Sequence, residues 1–154
     1  MGKPVILMSA CLMGVNCRYD GGGKRVPELE ELMELAQIVP VCPEILGGLP
    51  TPRTPSERVG NRVVMKDGTD VTGAFQRGAG EALKLARLYG AELAILKERS
   101  PSCGSGMIYD GSFSGKFAPG DGVTGEMMKK NGIAVYGESR IQELMEKIRR
   151  GEDR

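Results

Sequence analysis

Apolar positions along this chain follow two rhythms. Short unbroken runs stand at Val5–Met8, Ile38–Val41, Leu93–Leu96 and Ile133–Tyr136. Runs of this length bounded by turn residues predict buried strands. Between them the spacing becomes helical. Leu29, Leu32, Met33 and Ala36 recur at i, i+3, i+4 and i+7, after Pro27, which suits a first helical turn. Phe75, Ala79, Ala82, Leu83 and Ala86 predict a longer helix over 73–89, stopped by Gly90. Val123–Lys130 predicts a short helix ending at Asn131-Gly132. Ile141, Leu144, Met145 and Ile148 predict a last one, with Ser139 to Gln142 patterned as a capping box. Thr72 and Thr124 stand in matching Val-Thr-Gly triplets at helix starts, where Thr is a good N-cap.

The intervening stretches are rich in Gly, Pro and Ser. Residues 9–26, 43–60 and 98–120 predict long loops, the second of them irregular because of Pro43, Pro50, Pro52 and Pro55. Val63–Met65 and Asp70-Val71 flank an Asp-Gly pair and predict a small hairpin. A second hairpin is expected around Ile108–Phe113.

Strands alternating with helices imply an α/β fold: a single three-layer domain over 1–154 with a parallel sheet of four strands. Pro40 cannot donate a ladder hydrogen bond, so the second strand belongs at an edge. The order 2-1-3-4 follows. It makes the first and third strands neighbours whose connections leave in opposite directions. The crevice at their carboxyl ends is where such sheets bind ligands.

Three of the four cysteines lie just past that edge. Cys11 follows the first run, Cys42 the second and Cys103 the third, while the chain has no histidine. Three convergent thiolates point to a soft metal or an iron–sulfur cluster. No Cys-x-x-Cys pair exists, which leaves ribbon-type zinc and dithiol motifs unsupported. Small neighbours such as Gly104 and Gly106 leave room for an inorganic group, and their N–H groups are candidates to hydrogen-bond it. Cys17 has three readings: a fourth ligand, a reactive thiol beside the metal, or an inert core residue. Its place well past the strand end favours the last two.

Other side chains in these loops carry chemistry. Glu44 follows Cys42 by two residues and is placed to move protons. Ser100 and Ser102 flank Pro101 beside Cys103. They can orient a substrate or only bond to their own turn. Asn16, Arg18 and Asp20 offer an amide, a guanidinium and a carboxylate near Cys11. They can recognise a heterocycle or simply tie down the loop. Asp20-Gly21-Gly22-Gly23-Lys24 lacks phosphate-loop spacing and reads as flexible loop.

Composition removes several alternatives. The 21 Lys+Arg nearly cancel the 20 Asp+Glu, so no bulk attraction to nucleic acid or membrane is expected. Three Phe, four Tyr and no Trp leave few stacking platforms for single strands. Leu7-Met8-Ser9-Ala10-Cys11 faintly suggests a lipoprotein cleavage site. The preceding apolar stretch, about six residues, falls short of a signal core. A cytoplasmic protein is expected, where spaced cysteines are more often metal ligands or reactive thiols than disulfides.

Taken together, the loops resemble a known family. The segments that carry the likeness are Ser9-Ala10-Cys11-Leu12-Met13-Gly14-Val15-Asn16-Cys17-Arg18-Tyr19-Asp20-Gly21, then Val41-Cys42-Pro43-Glu44 through Pro52-Arg53, then Leu96-Lys97-Glu98-Arg99-Ser100-Pro101-Ser102-Cys103-Gly104-Ser105-Gly106. Gly120-Asp121-Gly122-Val123-Thr124 is a weaker fourth. They are similar to the prokaryotic 2-thiouracil desulfidase family, over roughly residues 5–145. The resemblance implies a [4Fe-4S] cluster held by Cys11, Cys42 and Cys103 with one iron open. It implies roles for Glu44, Ser100 and Ser102 beside it. The implied reaction removes sulfur from a small thiolated pyrimidine without net redox change, by Lewis-acid activation of C=S and base-assisted attack of water. A sulfur acceptor is a further partner that this chemistry allows. Two other readings remain at this point: a cluster-based sulfur carrier feeding another enzyme, and a non-catalytic thiolate site.

Overall fold

Leu93, Ala94, Ile95 and Leu96 are buried at every position, with no polar alternation. Such a strand needs cover on both faces, which a parallel sheet between helices supplies. The computed structural model describes residues 2–152. Its elements are β1 (Val5–Ser9), α1 (Leu29–Leu35), β2 (Gln37–Val41), α2 (Pro43–Leu46), β3 (Ser56–Val59), β4 (Arg62–Met65), α3 (Thr72–Tyr89), β5 (Leu93–Leu96), β6 (Met107–Tyr109), β7 (Phe117–Pro119), α4 (Val123–Lys130), β8 (Ala134–Gly137) and α5 (Ile141–Arg149).

The main sheet has the order β2-β1-β5-β8, all parallel, as the runs predict. Pro40 pairs with Met8 in the edge strand β2. Side chains alternate across the sheet. Ile6, Met8 and Ile95 pack on one side with Leu29, Leu32, Leu144 and Met145. Leu7, Ala94 and Leu96 pack on the other with Ala82, Leu83, Ala86 and Met128. These two cores make the three layers.

The small elements depart from expectation. The first hairpin pairs β3 with β4, turning at Gly60-Asn61, while the Asp67-Gly68 turn closes only one bridge, Val64 to Asp70. β3 was hidden because it carries a buried acid. Glu57 is only 8% exposed, and its Oε1 accepts the N–H groups of Gly111 and Phe113 at 2.9 and 3.1 Å. The loop 43–60 is thus not wholly irregular, since it contains α2 and β3. The second hairpin pairs β6 with β7 around a wider turn. The helix starts also differ. Thr72 Oγ1 accepts the Val63 N–H at 2.9 Å, and Thr124 Oγ1 pairs with Ser102 Oγ at 2.8 Å, so neither is an N-cap. Ser139 donates to the Glu98 carboxylate rather than closing a capping box, and a 3₁₀ turn leads into α5.

One packing detail fixes the site. α2 meets α3 backbone to backbone. A Cβ on Gly78 would lie 1.8 Å from Pro43 O, and one on Gly47 would lie 2.0 Å from Ala74 O. Only glycine permits this approach, and α2 carries Glu44. Gly78→Ala should therefore destabilise by about 1–3 kcal/mol through overpacking, visible as a lowered Tm. Gly80→Ala is the control, because nothing lies within 4 Å of its Cβ site. Equal Tm values for the two variants would refute the close approach.

Candidate functional site

The carboxyl ends of β1, β2 and β5 open into a cavity of about 350 Å³. Cys11, Cys42 and Cys103 all line it. Each is placed by a different local device. Cys11 lies in a 3₁₀ turn that starts directly after β1, and Gly14 ends the turn with φ +91°. Cys42 precedes Pro43, which sits in the first turn of α2 where its missing N–H costs nothing.

Cys103 rests in a tight turn built by Ser100. The Ser100 hydroxyl oxygen accepts the N–H groups of Ser102 and Cys103 at 3.1 and 3.0 Å. The start of α4 presses on this turn. A Cβ on Gly122 would lie 2.4 Å from the Ser102 backbone, and the Thr124 N–H donates to Ser102 O at 2.8 Å. Ser102 itself is fully buried; its hydroxyl bonds to Thr124 at 2.8 Å and accepts the Cys103 thiol at 3.9 Å. Ser9, unnoticed in the sequence, accepts the Lys97 N–H at 2.9 Å and lines the cavity beside Cys103. The N–H groups of Gly104 and Gly106 are already used, by Ser100 O and Asp121 Oδ1 at 2.8 Å each, so neither is free for a bound group.

Cys17 belongs to the site. It is buried, lines the cavity, and its pKa is raised, chiefly through the neighbouring Cys11 thiol. Loop position does not set it apart: Cys17 is at once part of the buried core and part of the cavity wall. The 9–26 loop folds back through Lys24 N–H to Cys11 O at 2.7 Å and Val26 N–H to Leu12 O at 2.9 Å. That return brings Cys17 beside the ligand candidates.

All four thiols are free. Burial pushes the Cys103 thiol up to about 12. Its hydrogen bond with Cys17, then burial, raises Cys42 well above the usual thiol range. Such thiols carry protons near neutrality, and a metal must displace them. Among the described residues no three His, Cys, Asp or Glu side chains could hold a single metal ion. The thiols instead stand around an open volume. That donor set fits a polynuclear cluster, which thiolates bind from several sides, better than a lone zinc ion.

Glu44 also lines the cavity, close enough that its charge raises both Cys42 and Cys103. Its Oε2 is held by Arg53 Nε at 2.8 Å. Sequence reading gave Arg53 no role. Only its membership of the second loop signature singled it out. Of the three residues proposed near Cys11, Arg18 lines the cavity. Asn16 is exposed and Asp20 caps its own turn, accepting the Gly22 N–H at 2.9 Å, and neither lines the cavity. Lys97 lines it as well, paired with Glu138 at 2.7 Å.

The 2-thiouracil desulfurase family model matches residues 6–140. The chain belongs to this family. The structure is similar to that of the [4Fe-4S]-dependent thiouracil desulfidase TudS, with a TM-score of 0.91 and 45% identity over 96% of this chain and 99% of that one. The chain is also 40% identical to the uncharacterized protein YbbK of Bacillus subtilis (strain 168), over 92% of this chain and all of the other. The family resemblance read from the three cysteine loops is thus borne out, as is the α/β fold. No described helix of this desulfurase-family member is long and apolar enough to cross a membrane.

Proposed function

We propose that this protein is a [4Fe-4S]-dependent desulfidase that converts a 2-thiouracil-like base to its oxo form and sulfide without net redox change. The observation that carries the reading is the meeting of three strand-end thiols and Glu44 in one cavity. Cys11, Cys42 and Cys103 would hold the cluster. When bound, a cluster on three thiolates supplies a thiophilic Lewis acid.

The chain's own residues supply the rest. Glu44 takes the proton of the attacking water and returns it as sulfur leaves. Both lone pairs of the Ser100 hydroxyl are engaged by backbone N–H groups, so what it has left is its own proton to donate. Ser100 lines the cavity, and in this reading it donates that proton to the thiolated base. Ser102 holds the Cys103 turn. Arg18 offers donors to a ring carbonyl, while Asp20 holds the loop that carries it through the Gly22 N–H. The sulfur leaves as sulfide or passes to an acceptor.

The test uses protein purified and reconstituted without oxygen. Incubated alone with 2-thiouracil, it should release uracil and sulfide in equal amounts over many turnovers. Bound iron with at most one equivalent of sulfur removed would instead describe a carrier that needs a partner enzyme.

A further inference from the structure

Arg53 is nearly enclosed, its side chain 4% exposed, although it sits in a loop of prolines and glycines. Burying a guanidinium is costly unless its donors are satisfied. Here they are. Nε donates to Glu44 Oε2 at 2.8 Å, one terminal nitrogen donates to Pro50 O and Thr51 Oγ1 at 3.1 Å each, and the other donates to Cys17 O at 3.0 Å. The Arg53 backbone N–H adds a bond to Tyr19 O at 2.8 Å. One residue thereby ties the loop after β1 to the loop after β2.

The consequence falls on Glu44. Its second oxygen, Oε1, has no side-chain or backbone donor among the described residues. No buried side-chain oxygen or nitrogen among them lacks a partner. Oε1 is therefore the oxygen open to solvent, on a residue that lines the cavity. The planar fork of arginine can fix one carboxylate oxygen while its other donors lock to carbonyls, whereas a lysine ammonium is a point charge on a flexible stem.

We propose that Arg53 is the positioning residue for Glu44: it pins Oε2 and the carboxylate plane, and so aims Oε1 at the reacting water. This rests on the reading of Glu44 as the proton-accepting group. Arg53 itself does not touch substrate. Its anchor on Cys17 O also ties the carboxylate to the thiol-bearing loop, because Cys42 Sγ reaches the same carbonyl at 3.8 Å.

Arg53→Gln, Arg53→Lys, Glu44→Gln and the double variant Glu44→Gln/Arg53→Gln are compared after anaerobic reconstitution. Iron and acid-labile sulfide per chain, Tm, kcat and KM for 2-thiouracil are measured. Arg53→Gln should keep its iron and its KM and lose about 10²-fold in kcat, the scale of a misplaced reacting group. Arg53→Lys should recover part of that loss. The double variant should be no slower than Glu44→Gln alone, since a residue acting only through another adds nothing once that one is gone. Additive losses in the double variant overturn the proposal. So do full-rate Arg53 variants beside a slow Glu44→Gln, which leave the role of Glu44 standing. Loss of iron or of folding in both Arg53 variants makes Arg53 a structural brace only. A full-rate Glu44→Gln overturns the base reading itself, and the positioning role with it.

Discussion

Cys103→Ser is expected to purify without a full cluster and to show only background desulfuration of 2-thiouracil. Enzymes typically accelerate their reactions by about 10⁶-fold or more, so the expected loss is of that order, the largest for any single change here. The reason lies in the donor set. Cys103 is buried in the turn beyond β5 that Ser100 holds, and it lines the cavity. Serine keeps the size and the turn but offers no soft ligand. Cys11→Ser and Cys42→Ser should behave alike. Cys17→Ser separates the models: with three ligands it keeps its iron. Iron analysis and absorbance of the anaerobic protein decide the matter. Full iron in Cys103→Ser would sink the assignment. Iron loss in Cys17→Ser would mean a closed four-thiolate site with no place for substrate.

Glu44→Gln is expected to slow turnover by about 10²–10⁴-fold, the range for loss of a general base, with iron content unchanged. Glutamine preserves the shape and can still accept a hydrogen bond from Arg53, so the Arg53 clamp survives while the basic oxygen is lost. Its carboxylate is partly buried, with 17% of the side chain exposed, and its charge reaches both Cys42 and Cys103. Single-turnover rates at saturating thiouracil isolate the chemical step from product release. A near wild-type single-turnover rate with a full cluster would remove Glu44 from the mechanism. Loss of iron would make it part of the metal site.

The departures of sequence from structure share a cause. β3 was missed because Glu57 replaces an apolar residue at an inward position, and what satisfies it is backbone more than fifty residues away. Cys17 looked remote because sequence distance says nothing about a loop that returns along its own path through Lys24 and Val26. Arg53 gave no signal beyond its place in the second loop signature, because a buried arginine in a Pro-rich loop reads like any surface charge until its four partners are in place. Thr72 and Thr124 looked like caps because local rules favour them there, and tertiary partners claimed both hydroxyls.

The sequence alone determined the order of strands and helices, the edge position of the Pro40 strand, and the end of the sheet where three cysteines gather. These follow from periodicity and from the missing proline donor, which are local properties. The three cysteine loops also sufficed to mark the family. Only the tertiary structure decided which side chains share the cavity. It brought Cys17 in, left Asn16 and Asp20 outside, buried Ser102 against Thr124, and set Arg53 on Glu44. Those outcomes depend on how loops of different chain segments fold over one sheet edge. Glycine contacts such as Gly78 on Pro43 and Gly122 on Ser102 govern that folding. Close backbone approach is a property of two segments at once, and neither segment's sequence states it by itself.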